Sequence, residues 1–600
     1  MINLDSQIDK SSYITMVLAN KPNISISLGL RFKKIVFLSL LIILREIFLP
    51  TGLTTEIAKF TDVTLEVGIN FQHENGRGQE RYFIETIGSG CAWVDYNNDG
   101  NLDIYLVNAT SMEGSSSDST GQKQSTNALY QNNGDGKFLD VSNIAGVDHA
   151  GYGTGISAGD YNNDGFIDLY LTNFGPNVLY RNNGDGTFSD VTTSAMVDRT
   201  DWSSGSSFGD YDNDGDLDLY VSSYCNFKIN QHQKCYVTDI LGQKKHVYCP
   251  GEQFSGTADT LYRNNGDGTF SDVTKESGVY NPIGRGMSPL WSDYDDDGDI
   301  DLFVANDATE NFLYQNNGNG TFQNIAWETG IAGDSSGELQ GCMGLDLADY
   351  DNDGDFDLIM TNFQNQPNVL YRNEGNGFFE DISFAVGFGY SLPYVGWGVG
   401  FFDLDNDGLK DLFIANGHLE DLISDLETGT TYAQTNDLLI NNGNGGFTRI
   451  VDDDTIKDLQ ASRGAAFGDY DNDGDIDILV SNEHAAPYLL RNNSQTENQW
   501  LVVKVIGTCP PLGSNRDGIG AKVKLTVTSV DTVKTYVSEV RSSSSYMSQN
   551  DLRIHFGLGS DVKHIHLLEV FWPSGIIDTI RDVIPNSLIQ IREGETESKL

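Results

Sequence analysis

The chain has 600 residues, with 37 basic against 86 acidic side chains and a formal charge of -49 at neutral pH. That balance argues against nucleic acid or an anionic membrane surface as partner, because either would repel it. With 38% hydrophobic residues, 65 Gly, 27 Tyr and 30 Phe, the composition suits a turn-rich all-β chain with ample core and excludes disorder for most of its length.

Residues 1–50 read as a leader. RFKKIVFLSLLIIL, residues 31–44, has a basic start and an apolar run that is too short to span a bilayer but suits a signal-peptide core. The expectation is export, giving a secreted, periplasmic or cell-surface protein. If left uncleaved, the segment would be the sole membrane anchor; a buried core helix is the structural alternative. An isolated FTDVT, Phe60 to Thr64, comes next.

Seven acidic loops then follow in one frame, from DYNNDGNLD at Asp95 to DYDNDGDID at Asp469, with DYDNDGDLD at Asp210 a full example. Self-similarity of this kind marks a repeat protein. So many like charges in nine residues need a cation among them. Oxygens at alternating positions can converge on it, and the glycine at position six allows the sharp turn. An all-oxygen, flexible shell suits Ca2+ better than Mg2+. The alternative is a polar turn, since Asp, Asn and Gly favour turns for local reasons.

The candidate ligands are Asp95, Asn97, Asp99, Asn101 and Asp103, then Asp160, Asn162, Asp164 and Asp168. The third loop offers Asp210, Asp212, Asp214, Asp216 and Asp218, and the fourth Asp293, Asp295, Asp297, Asp299 and Asp301. The fifth offers Asp349, Asp351, Asp353, Asp355 and Asp357, the sixth Asp403, Asp405, Asp407 and Asp411, and the seventh Asp469, Asp471, Asp473, Asp475 and Asp477. Up to seven calcium ions are expected. The first two sites should be weakest, having Asn97 and Asn162 at position three, and Lys410 sets a positive charge beside the sixth.

Each loop is followed by alternating apolar residues, such as DLYLTN, and then in six repeats by a turn signature such as LYRNNGDGTF. Asn-Gly and Asp-Gly between apolar runs signal tight hairpins. Each repeat therefore reads as four antiparallel strands, and seven of them as a seven-bladed β-propeller over residues 60–494. The last repeat stops at LLRNNS without a fourth strand, so FTDVT is expected to complete it and close the ring.

These repeats resemble the FG-GAP/VCBS repeats of the integrin α propeller and of many secreted bacterial proteins. Residues 498–593, with NQWLVVKVIG, SNRDGIGAKVKL, SYMSQNDLRIHFGLG and EVFWPSGIIDTI in order, resemble an ASPIC/UnbV domain, read as a smaller β domain. The pair is similar to the cartilage acidic protein family. The resemblance implies an extracellular calcium-binding protein and brings no enzymatic activity with it.

Strand parity places the acidic loops and the NNGDG turns on one face of the propeller. The long insertions, Ala109 to Thr126, Tyr224 to Ala258 and Gly417 to Thr435, fall on the other, where a ligand should bind. Aromatic residues there include Trp202, Tyr236, Tyr248, Phe254, Tyr390, Tyr394, Trp397 and Tyr432. The expected role is adhesion or recognition of an extracellular glycan or protein, with calcium mainly structural. The alternative is a polysaccharide lyase or hydrolase on this face, using His418, Glu420, Asp421, Glu483 or His484 as acid and base. No HExxH or phosphate-binding glycine loop is present, and no GxSxG sits at a strand-to-helix elbow: GISAG (Gly155 to Gly159) and GSSFG (Gly205 to Gly209) both run straight into an acidic loop. Cys235 and Cys249 are the favoured disulfide pair, against three small buried cysteines in that insertion.

Overall fold

The computed structural model describes residues 59–110, 124–426, 429–451, 458–511, 513–529 and 532–595. The leader lies outside these, as does most of the first insertion. Ala58–Leu600 forms one compact unit.

Seven four-stranded antiparallel sheets account for the repeats. In the second, Gly153–Gly159, Asp168–Asn173, Val178–Asn182 and Phe188–Asp190 pair in order, with Leu169 opposite Tyr180 and Asn182 opposite Phe188. The first two strands are buried along their whole length, because sheets stacked radially cover both faces of each other. Leu169, Leu171 and Ile156 pack toward the first sheet's Ala92, Tyr105 and Leu129, whereas Tyr170 and Leu179 pack toward Phe208 and Leu219 of the third.

Phe60–Asp62 completes the seventh sheet, with Phe60 opposite Asn492 and Asp62 opposite Leu490. One side-chain hydrogen bond repeats at every junction between sheets. The first Asn of each turn signature donates through Nδ2 to the carbonyl at position two of the preceding acidic loop: Asn182 to Tyr96 at 2.8 Å, Asn264 to Tyr161 at 2.8 Å and Asn316 to Tyr211 at 2.8 Å. Asn373, Asn441 and Asn492 continue the series, and Asn132 donates to Tyr470 at 3.0 Å, joining the first sheet to the last.

The C-terminal region is a β sandwich. One sheet orders Ile554–Gly559, Gln499–Ile506 and Ser587–Arg592, the last two parallel; the other orders Val533–Glu539, Lys522–Thr528, His564–Phe571 and Ile577–Val583. Leu501, Val503, Val523, Leu525, Leu568 and Ile589 fill the space between them.

Between the two sheets the chain leaves the sandwich, and residues 541–551 run into the centre of the propeller. There they bond the first strand of every sheet. Trp93 N–H donates to Gln549 O at 3.0 Å, Ile156 N–H to Met547 O at 3.2 Å, Phe208 N–H to Ser542 Oγ at 2.8 Å and Met547 N–H to Ser288 Oγ at 3.2 Å. Leu345 N–H donates to Ser545 O at 3.1 Å, Val399 N–H to Ser545 Oγ at 3.0 Å and Phe467 N–H to Asn550 Oδ1 at 3.0 Å. Inner strands otherwise leave buried backbone donors unpaired, which is costly. This is why the segment is rich in serine and carries Gln549 and Asn550. Glycine stands five residues before six of the seven loops because the backbones meet there: a Cβ on Gly90 would lie 1.8 Å from Met547 O.

Tyr546, fully buried, reaches through the channel to Trp397, with ring centroids 4.9 Å apart, and donates its hydroxyl to Ile87 O at 3.1 Å. Tyr546→Ala should therefore lower unfolding free energy by about 3–5 kcal/mol, as for other buried aromatic truncations. Urea titration checks this; a change within about 0.5 kcal/mol, the surface norm, would mean that the segment only rests in the channel.

Candidate metal centres and the opposite face

Each acidic loop is built on its first and ninth residues. In the third, Asp210 accepts the N–H of Asp214 at 3.0 Å and of Gly215 at 2.9 Å, which folds the turn around its carboxylate. Asp218 accepts from Asn264 N–H at 2.8 Å and Tyr211 N–H at 3.2 Å, tying the loop to the next hairpin. Burial, then the neighbouring carboxylates, push Asp218 well above the usual carboxylate range and Asp210 to about 8. The same causes, with some help from backbone donors against them, put Asp301 and Asp357 at about 9. Protein groups alone thus leave these acids short of positive charge.

Five loops bring three carboxylates within 4.8 Å of one another: Asp210, Asp212 and Asp218; Asp293, Asp295 and Asp297; Asp349, Asp351 and Asp353; Asp403, Asp405 and Asp411; and Asp469, Asp471 and Asp477. Each trio could hold a metal ion. Asp212 Oδ1, Asp295 Oδ1 and Asp301 Oδ2 are buried without a hydrogen-bond partner, so the donor set fits a cation that takes oxygen ligands. In the first two loops no such trio forms among the described residues; Asn97 Oδ1 and Asn162 Oδ1 instead accept from the N–H of Asp99 and Asp164, each at 3.0 Å. Lys410 donates to His555 O at 3.5 Å, yet its charge still counters the burial that raises Asp403, and that loop's trio persists.

Asp214, Asp407 and Asp473 at position five, and Asp301 and Asp357 at position nine, lie outside their loops' trios, and so do the acids at position seven. Asp216, Asp299 and Asp475 belong to no trio and instead accept, each at 2.8 Å, from Asn163, Asn213 and Asn406 at position four of the preceding loop. Asn101 and Asp355 also stand outside the trios, close to the hairpin turns at Gly134 and Gly375. Position four was not singled out by the sequence reading, yet it carries a second ring of contacts: Asn98 Nδ2 donates to Gly165 O at 2.7 Å and Asn472 to Gly100 O at 3.4 Å. All seven position-four residues have positive φ, from 56° to 61°, which Asn and Asp tolerate best. The signal was Asn in six of seven loops. The exception, Asp296, is paired with Lys522 of the C-terminal sandwich.

That sandwich covers the acidic-loop face and supplies it with cations. Lys522 Nζ donates to Asp293 O at 2.9 Å, Arg553 Nη2 to Asp469 O at 2.7 Å, and Lys504 Nζ lies 3.6 Å from Asp95.

On the other face the insertions meet one another. Arg81 pairs with Glu420 and Asp421, Arg77 lies 3.1 Å from Asp421, and Tyr248 donates its N–H to Glu420 at 2.9 Å and its hydroxyl to Glu85 at 3.1 Å. Burial pushes Glu85 up to about 7. Cys235 and Cys249 are disulfide-bonded with Cα atoms 5.2 Å apart, while Cys225 is free and buried. Of the aromatic residues expected there, Trp202, Tyr248 and Trp397 are buried and Tyr236 is exposed.

His418 is buried; its Nδ1 accepts Glu420 N–H at 2.9 Å, so Nε2 carries the proton and donates to Gln364 Oε1 at 3.2 Å. Both ring nitrogens are thereby engaged, and burial, with Arg463 nearby, lowers its pKa to about 4. Glu483 is buried 3.7 Å from Arg463, with neither carboxylate oxygen hydrogen-bonded. Arg463 also donates to His418 O at 3.4 Å and so links the two segments, while His484 lies 3.1 Å from Glu74.

The family described as FG-GAP-like repeat matches residues 95–171, 160–221, 247–304, 293–360, 349–414 and 420–480, more than half of the chain, and that described as ASPIC and UnbV matches 511–598. Cartilage acidic protein 1 of Mus musculus is 28% identical over 340 residues, 55% of this chain and 48% of that protein. The Homo sapiens protein is 28% identical over 313 residues, 51% of this chain and 43% of its own. The chain thus spans less than half the length of these relatives. Among solved structures, an Agrocybe aegerita lectin that recognises non-reducing terminal N-acetylglucosamine aligns with TM-score 0.35 and 17% identity over 60% of this chain and 79% of the lectin. A Bacillus licheniformis rhamnogalacturonan lyase aligns with TM-score 0.28 and 12% identity over 68% and 89%. No helix among the described residues is long and apolar enough to cross a membrane.

The raised carboxylates set a pH dependence. Without metal, the folded loops bind more protons than the unfolded chain, so this stability is full below about pH 4 and is lost as pH rises through the folded values near 7 to 9. A cation displaces those protons and binds better as pH rises. The melting-temperature gain on adding calcium chloride should therefore be larger at pH 8 than at pH 5.5. An equal gain at both values would remove the metal assignment.

Proposed function

Because the chain belongs to the FG-GAP-like repeat family, we propose that it is an exported, calcium-binding β-propeller that recognises a glycan or a protein outside the cell. The observation that carries this reading is the division between the faces. Acid trios converge on one, under the C-terminal sandwich, and the insertions gather on the other. Carboxylate-only trios with unpartnered oxygens favour Ca2+ over a softer or smaller ion. The ions would offset repulsion within the hairpins and hold the scaffold. Export is supported by the basic-then-apolar segment at residues 31–44 and by a disulfide, which persists in oxidising compartments.

The residues would divide the work as follows. Asp210, Asp212 and Asp218, with their counterparts, hold the cation; the position-four asparagines align adjacent loops; Arg81, Glu420, Asp421 and Tyr248 lock the insertions into one recognition surface.

Calcium-loaded protein passed over immobilised neutral and acidic polysaccharides and extracellular-matrix proteins should be retained on at least one. Retention should fall in chelator, where each site held at a hundred times its Kd loses about 2.7 kcal/mol of stabilisation. Retention on none of them would overturn the recognition reading. Release of new chain ends from a polysaccharide would make the protein an enzyme instead.

A further inference from the structure

On the insertion face, blade three carries a cavity of about 1080 Å³ between the chain entering it, its own insertion and the chain leaving it. That is the upper end of the roughly 300–1,000 Å³ typical of small-molecule sites. It shares no residue with the acidic loops or with the Arg81 cluster. Trp202 lines it and is only 3% exposed, yet its indole Nε1–H has no hydrogen-bond partner among the described residues. Arg199, also in the lining, donates Nη2–H to Ala258 O at 2.7 Å while its buried Nε–H goes unpartnered. Each such orphaned donor costs free energy unless a guest or water satisfies it. Tyr280, at the rim, is 48% exposed.

We propose that this cavity binds a segment of neutral oligosaccharide, stacked on Tyr280 and hydrogen-bonded by the Trp202 indole and the Arg199 guanidinium. The proposal rests on the glycan form of the recognition reading. Hydroxyl groups both donate and accept, which the lining asks of a guest: Trp202 and Arg199 offer spare donors, and Asp201, Asp272 and Glu276 offer carboxylate oxygens. Asp259 also lines the cavity, so Lys228, Lys275 and Arg199 stand against four acids; the lining offers an anion no net positive charge, and the chain's overall -49 repels a polyanion. An aromatic ring exposed at the edge of a polar cavity suits the apolar face of a pyranose.

Isothermal titration of the full chain in calcium, with short neutral cello-, malto- and chito-oligosaccharides and uronate and sulfated counterparts, tests this. At least one neutral series should bind, with Tyr280→Ala and Trp202→Phe each weakening it about tenfold and Arg581→Ala, exposed on the C-terminal sandwich, leaving it unchanged. Tyr280 is exposed, so its variant keeps the fold if Trp202→Phe does not. Binding by no neutral series, tighter binding of the anionic counterparts, or wild-type affinity in Tyr280→Ala would overturn the proposal. Retention on the immobilised panel that survives Tyr280→Ala leaves the recognition reading standing and removes this cavity from it; loss of all retention in the unaltered protein removes both.

Discussion

A carboxylate buried at the start of each second strand is the constraint on which the rest of the molecule depends. Asp218 shows why: it holds the backbone of Asn264, whose side chain in turn holds Tyr161 in the preceding sheet. Loop, hairpin and inter-sheet junction are one network, repeated seven times, and its centre is an acid that burial drives toward neutrality. A cation at the trio would keep that acid ionised and the network in place. Without one, protons must do the same work, and they do so less well as the solution becomes alkaline.

The C-terminal sandwich completes what the repeats leave unfinished. It brings Lys504, Lys522 and Arg553 to the acidic face, and its inserted segment satisfies inner-strand donors of six sheets and donates to Ser288 of the fourth. A sandwich that caps one face and threads the channel leaves only the other face open along the axis. Tyr546, Met547 and Trp397 pack together there, so any ligand of that face would meet the insertions and the cavities beside them.

The repeat, the four-strand unit, the closing strand at Phe60 and the side on which insertions emerge were all legible in the sequence, because spacing and alternation report them directly. The Cys235–Cys249 pair was legible as one choice among few. The contacts of the position-seven acids were not legible, because period-two alternation only puts them on the same side as the other loop acids, whereas the left-handed residue at position four, Asn213 for example, turns the chain and reaches the next loop's acid. SYMSQND was visible as a motif but had no derivable role: its partners lie hundreds of residues earlier, and nothing local in a serine-rich loop says that it will meet seven strands. The unpartnered donors of Trp202 and Arg199 were likewise invisible, since burial without a partner is a property of the folded chain.

The strand at Phe60 also sets a schedule for synthesis. Thr61 and its partner Asn493 are 432 residues apart, so at about 5–20 residues per second the first strand waits roughly 20–90 s for the sheet it completes. Until then Phe60 is a hydrophobic edge without a home, and every blade made in the meantime has an inner strand that awaits a bond from a segment not yet translated. Contacts this distant in sequence make for slow folding. Completion of the seventh sheet is therefore a late event, and what the cell must protect is a growing series of blades whose last sheet lacks its outer strand.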